Sequence, residues 1–177
     1  MRCIVVGNSP DVQELGSVVD DHDIVIRTGY GMTEGFEKLV GNRTDMLVTR
    51  TSKFNSNNEF KYQITVPEEN KPRCREIIFL SNHELDTNYN NILSDVDQAA
   101  KLNINEKPTL GLIAVVSAVK LYNKINVYGI ETQIASKYHS HGHTGDVNYR
   151  RDNSHHSLAK EVLYYNKMIR CGIITNI

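Results

Sequence analysis

The chain has 177 residues, 40% of them hydrophobic, and a formal net charge of −1, which is enough for one core and one domain over residues 1–177. That charge balance leaves no broad basic field for nucleic acid, the apolar runs are too short to span a membrane, and no secretory leader opens the chain. The three cysteines, Cys3, Cys74 and Cys171, show no metal or redox spacing, so reduced thiols in a cytoplasmic protein are expected.

Cys3 to Val6 is an apolar run with no room for a helical face, and it stops at Gly7 in the manner of a buried strand. Ser9 suits a helix cap and Pro10 a first helical turn, so a helix is expected from Asp11 to Val18. A strand, a glycine turn and a helix start together leave backbone N–H groups for an anion, typically a phosphate. The same residues also build an ordinary α/β turn, since a single glycine turn is a weak motif. Ile24 to Ile26 reads as a second strand ending at Arg27, Thr33 as the cap of a short helix through Leu39, and Met46 to Thr49 as a third strand. That alternation argues for an α/β fold with a mostly parallel sheet and right-handed crossovers, with ligands at the strand ends. Ser52 to Glu59 is a polar loop, Tyr62 to Val66 and Glu76 to Leu80 are further strands, and Tyr89 to Leu102 is an amphipathic helix.

Pro108 to Ile130 is the second landmark. Thr109 is a helix cap, and Gly111 permits close approach of a ligand or another backbone. The helix from there to Leu121 is apolar nearly all round and is expected to be buried. Ile125 to Tyr128 then forms a core strand that ends at Gly129. The start of the Thr109 helix offers a second set of donors to the same anion. Five of the seven histidines, His139, His141, His143, His155 and His156, follow, and Ser154 or His155 opens a helix to about Arg170. A histidine at a helix start is kept neutral by the helix dipole and can act as a general base. A solvated loop histidine is the plain alternative.

Taken together these residues resemble the animal-type sialyltransferases, family 29 of the glycosyltransferases. The family's large motif is matched by Cys3, Gly7-Asn8-Ser9, Asp20 to Asp23, Arg27, Gly35-Phe36-Glu37 and Val40-Gly41-Asn42-Arg43-Thr44. Its small motif is matched by Pro108-Thr109-Leu110-Gly111 and Asn126-Val127-Tyr128-Gly129, and its last motif by His156 and Glu161. His139 falls at the third motif, where Ser140 and His141 replace the family's aromatics. The resemblance runs across nearly the whole chain. It implies a Rossmann-like, GT-A-like sheet flanked by helices and a metal-independent, inverting transfer with no cofactor. The donor would be CMP-sialic acid or CMP-Kdo, and the acceptor a hydroxyl of a glycan or glycolipid.

On that resemblance Gly7, Asn8 and Ser9 face the cytidine nucleotide, and Thr109, Leu110, Gly111 and Gly129 line the other side. His156 takes the proton of the acceptor hydroxyl, and His139 stabilises the departing phosphate. An oxocarbenium-like transition state needs charge stabilisation at the leaving phosphate, where each donor is worth on the order of 3 kcal/mol.

The chain also departs from the family. Gly29 stands where the large motif has an asparagine, and Tyr122 stands where the family has the disulfide partner of Cys3. No anchor or stem precedes the first strand, which suggests a minimal form with trimmed acceptor loops. Three other readings compete. Metal-dependent transfer could use Asp21 with Asp23 or Asp95 with Asp97, although both pairs read as structural. A metallohydrolase could use His139, His141 and His143 with Asp146. A CMP-binding protein without catalysis is the third. The Asn42-Arg43-Thr44 triplet has the form of a glycosylation acceptor and reads as structural.

Overall fold

The computed structural model describes residues 1–9, 12–29, 31, 33–50, 62–65, 79–80, 108–130 and 158–177. In chain order the elements are β1 (Cys3–Val6), α1 (Gly16–Asp20), β2 (Ile24–Thr28), α2 (Glu37–Val40), β3 (Met46–Arg50), β4 (Tyr62–Thr65), β5 (Phe79–Leu80), α3 (Leu110–Tyr122), β6 (Ile125–Tyr128), α4 (Leu158–Arg170) and β7 (Ile174–Asn176). The strands form one sheet in the order β5-β4-β3-β2-β1-β6-β7. Strands β3, β2, β1, β6 and β7 are mutually parallel. The two strands at one edge, β4 and β5, pair antiparallel. This is the mostly parallel α/β sheet flanked by helices that the sequence predicts.

β1 lies near the middle and is buried on both faces, which is why its sequence is an unbroken apolar run rather than an alternation. Successive side chains still point to opposite faces. Ile4 and Val6 pack with Val19, Val25, Val40 and Tyr128, under α1 and α2. Cys3 and Val5 pack with Ile24, Ile26, Met46 and Val48 against α3 and the inner side of α4. α3 is buried from Leu112 to Val119, as its nearly uniform apolar composition requires.

Several boundaries differ from the expectation, each for a tertiary reason. α1 begins at Gly16, later than expected, and among the described residues no side chain caps it. Ser9 is held elsewhere, because its N–H is given to the Gly129 carbonyl at 2.9 Å. Gly16 marks the start because a Cβ there would stand 1.9 Å from the Glu37 carbonyl oxygen of the neighbouring helix. α2 begins after Phe36, and Thr33 forms the preceding turn by accepting the Phe36 N–H at 2.8 Å instead of capping the helix with its side chain. β7 was not anticipated. It is a three-residue strand set beside β6, with Ile174 opposite Ile125. Of the expected strand Glu76 to Leu80, Phe79–Leu80 is β5, and residues 76–78 lie outside the described residues. The expected helix from Tyr89 to Leu102 also lies outside them.

Candidate functional site

The chain leaves β1 toward β2 and β3 on one side, while β6, its neighbour on the other side, leads to β7. In an open parallel sheet this reversal leaves a crevice at the carboxyl ends of the two strands, the usual seat of a ligand. Gly7, Asn8 and Ser9 follow β1, and Gly129 and Ile130 follow β6. The two turns are bonded to each other, with the Gly7 N–H on the Tyr128 carbonyl at 2.8 Å and the Ser9 N–H on the Gly129 carbonyl at 2.9 Å. Gly129 adopts a φ of 61°, a left-handed conformation that favours glycine.

The start of α3 joins these turns. A Cβ on Gly111 would stand 3.3 Å from Ile130 Cδ1 and 3.6 Å from the Tyr165 hydroxyl oxygen. A Cβ on Gly7 would stand 2.7 Å from the same Ile130 carbon. Ile130 therefore touches the bare faces of both glycines, and residues 7–9, 129 and 109–111 meet in one place although the sequence separates them widely. Thr109 caps α3 as expected, its hydroxyl oxygen accepting the Leu112 N–H at 3.1 Å. Leu110 and Gly111 are the first two residues of this 13-residue helix, and their N–H groups have no acceptor inside it. They lie at the positive end of its dipole.

Asn8 is half-buried, and its Nδ2 reaches the Thr28 carbonyl at 3.4 Å and the Thr28 hydroxyl at 3.5 Å. Both bonds are long enough for a better acceptor to replace them. Gly29 borders this amide, since a Cβ there would sit 3.4 Å from Asn8 Nδ2. The position that departs from the sialyltransferase pattern thus lies beside Asn8. Ser9 is buried.

Two supporting groups were not assigned a role in the sequence. Glu161, 2% exposed, accepts the Thr109 N–H at 2.8 Å and the Thr109 hydroxyl proton at 2.5 Å. The last motif named this residue, but no local pattern connects positions 52 apart. Tyr128 donates its hydroxyl to the Gln13 carbonyl and so holds the chain that follows Ser9. Desolvation by burial pushes the Tyr128 phenol above its ordinary value of 10.0, against the opposing hydrogen bonds, and this preserves it as a donor.

The rest of the large motif is architectural. Arg27 is buried, and its guanidinium donates to the carbonyls of Arg43 at 2.9 Å and Val40 at 2.8 Å and to the Thr44 hydroxyl at 2.9 Å. Burial lowers its pKa to about 10, against the pull of Asp20 and Asp45, so it stays charged at neutral pH. Asp20 accepts the N–H groups of Asn42 and Arg43, each at 2.9 Å. The Asn42-Arg43-Thr44 turn is thereby tied to β2 and α1.

Asp21 and Asp23 bond Arg2, at the amino ends of β1 and β2 and away from the crevice. Among the described residues no group of His, Cys, Asp and Glu is arranged to hold a metal ion. Cys3 is a core residue of β1. Tyr122 packs on the same cluster, and its hydroxyl lies 3.8 Å from Met46 Sδ. His139, His141, His143, Asp146, His155, His156, Asp95 and Asp97 lie outside the described residues. Among the described residues no helix is long and apolar enough to cross a membrane.

Comparison with known proteins follows the same lines. The model of glycosyltransferase family 29 (sialyltransferase) matches residues 1–88. A rat CMP-N-acetylneuraminate-β-1,4-galactoside α-2,3-sialyltransferase is 48% identical over 50 residues, covering 27% of this chain and 13% of that protein. A chicken CMP-N-acetylneuraminate-β-galactosamide-α-2,3-sialyltransferase 1 is 25% identical over 167 residues, covering 78% of this chain and 46% of that one. The aligned part is thus less than half the length of either relative. The crystal structure of a mammalian sialyltransferase superposes with a TM-score of 0.62 at 17% identity, over 99% of this chain and 68% of that one, and so shares the fold. From the motif around β1 and β2 to the order of the sheet, these findings agree: residues 1–88 match glycosyltransferase family 29, the sialyltransferases, and the sheet shares the fold of a solved sialyltransferase.

Proposed function

We propose that the chain is a glycosyltransferase that moves sialic acid, or the related Kdo, from its CMP-linked form to a hydroxyl of a glycan or glycolipid. The observation that supports this most is the convergence of Gly7–Asn8–Ser9, Gly129 and Thr109–Leu110–Gly111 on one crevice at the switch point of the sheet. A CMP phosphate there meets the N–H groups at the start of α3, with the Asn8 amide on the opposite wall. These donors stabilise the negative charge that grows on the phosphate as the glycosidic bond breaks.

In this reading His156 takes the proton of the acceptor hydroxyl while its oxygen attacks the anomeric carbon. The bond to the phosphate breaks on the opposite side, so one displacement inverts the configuration. His139 donates to the phosphate as CMP leaves. No metal ion or other cofactor enters the scheme. A cytoplasmic setting belongs to the same reading, supported by three cysteines without redox spacing.

A thermal-shift panel comparing CMP and CDP with UDP, GDP and NAD tests the nucleotide, and incubation with CMP-sialic acid and CMP-Kdo tests the chemistry. Stabilisation by CMP together with release of CMP from one of the donors is expected. CMP binding with no turnover, even by slow hydrolysis, would leave a nucleotide-binding protein and not an enzyme.

A further inference from the structure

The Glu161 carboxylate joins two elements that are 52 residues apart, and both of its oxygens are used on one residue. One oxygen takes the Thr109 N–H, and the other takes the Thr109 hydroxyl proton. The hydroxyl oxygen in turn accepts the Leu112 N–H. A hydroxyl has one proton to give. That of Thr109 is directed to Glu161, so the side chain has no donor left for a ligand in the crevice. Among the described residues, the donors that remain at this wall are the backbone N–H groups of Leu110 and Gly111. Their direction is set by the first turn of α3, and that turn is fixed at its cap by Glu161.

We infer that Glu161 is a positioning residue. It locks the Thr109 cap so that the Leu110 and Gly111 amides, and not the Thr109 hydroxyl, face the donor phosphate. This rests on the functional reading above and assigns the α3 wall to the phosphate, not the nucleoside. α4, which carries Glu161, begins at Leu158, two positions after His156 in the sequence, so the same lock ties α3 to the helix that follows the proposed base.

The test compares the affinity of the full chain for CMP and for cytidine, which lacks the phosphate, by calorimetry. Two variants are used. Glu161→Ala removes the lock, and Thr109→Val removes the hydroxyl while leaving the Glu161 charge in place. Both are expected to lower CMP affinity by about five- to tenfold, the effect of losing a helix cap, and to leave cytidine affinity within about twofold. A general structural defect would weaken both ligands alike, and that outcome overturns the inference. So does a Glu161→Ala variant that binds CMP as well as the parent chain. If Glu161→Ala does not fold, Glu161→Gln, which keeps the shape, takes its place under the same criterion. A parent chain that binds neither CMP nor cytidine overturns the functional reading itself, and is told apart from the other outcomes because it involves no variant.

Discussion

Gly7 stands against Gly129 so closely that a Cβ on Gly7 would lie 2.3 Å from the Gly129 carbonyl oxygen. The nearest atom there is backbone, so rotating the neighbouring Ile130 side chain does not relieve the contact. Gly7→Ala forces the β1 and β6 turns apart and is expected to lower the free energy of unfolding by about 2 kcal/mol, in the range of overpacked cores. Urea unfolding measures it, and an unchanged midpoint would show that the turns are not locked together.

Asn8 and His156 are expected to fail in different ways. The Asn8 amide holds Thr28 only through long bonds, so Asn8→Ala costs little stability but weakens CMP binding by about tenfold, the loss of one good hydrogen bond. His156→Ala is expected to keep CMP binding and to lower turnover by about 100-fold or more, as for the loss of a general base. Titration with CMP and initial rates with the CMP-sugar separate the two. Unchanged CMP affinity in Asn8→Ala removes that residue from the site, and undiminished turnover in His156→Ala removes the base.

Ser117 sits in the middle of α3, 1% exposed, with no hydrogen-bond partner for its hydroxyl oxygen among the described residues. An unsatisfied buried hydroxyl costs free energy, and serine is a poorer helix former than alanine. Ser117→Ala is expected to raise stability by about 0.5–1 kcal/mol on those grounds, read from denaturant unfolding. A loss of stability would mean that the hydroxyl is doing something useful in the core.

The acid limb of stability is expected to involve Asp23. Its pKa is held below the ordinary 3.8, chiefly by the hydrogen bond from the Arg2 N–H. Below 3.8 the unfolded chain takes up this proton before the folded one does. The contribution of Asp23 is therefore present above 3.8 and is lost as pH falls from there through the lowered folded value. Asp23→Asn is expected to flatten the pH dependence of the unfolding temperature in that window and to leave CMP binding at neutral pH unchanged. An identical acid profile in the variant would refute the assignment.

Local chemistry was readable where the deciding contacts are local. Cys3 to Val6 and Ile125 to Tyr128 are strands because their apolar runs are short and end in glycine, and Thr109 caps α3 through a bond three residues away. The start of α1 was misplaced because Ser9 and Gly16 answer to partners across the fold, the Gly129 carbonyl and the backbone of α2. The Thr109–Glu161 lock could not be derived from spacing, since no periodicity relates helices so far apart in the chain. β7 gave no signal because three residues are too few to show an alternation. Of the candidate site, the two glycine turns and the Thr109 helix were legible as separate pieces. That they would serve one anion was expected as well, but the contact through Ile130 that joins them was not, because it depends on the strand order.

α3 fills the middle of the core with Leu112 to Val119, and its first turn, at Leu110 and Gly111, borders the crevice. The same rigid rod that holds the molecule together is also one jaw of the cleft, so the cleft has no mechanical independence. A solvent or temperature that loosens the core slackens the jaw in the same transition. Conversely, an occupant of the cleft braces the entire sheet by mass action, to an extent set by its concentration relative to its dissociation constant.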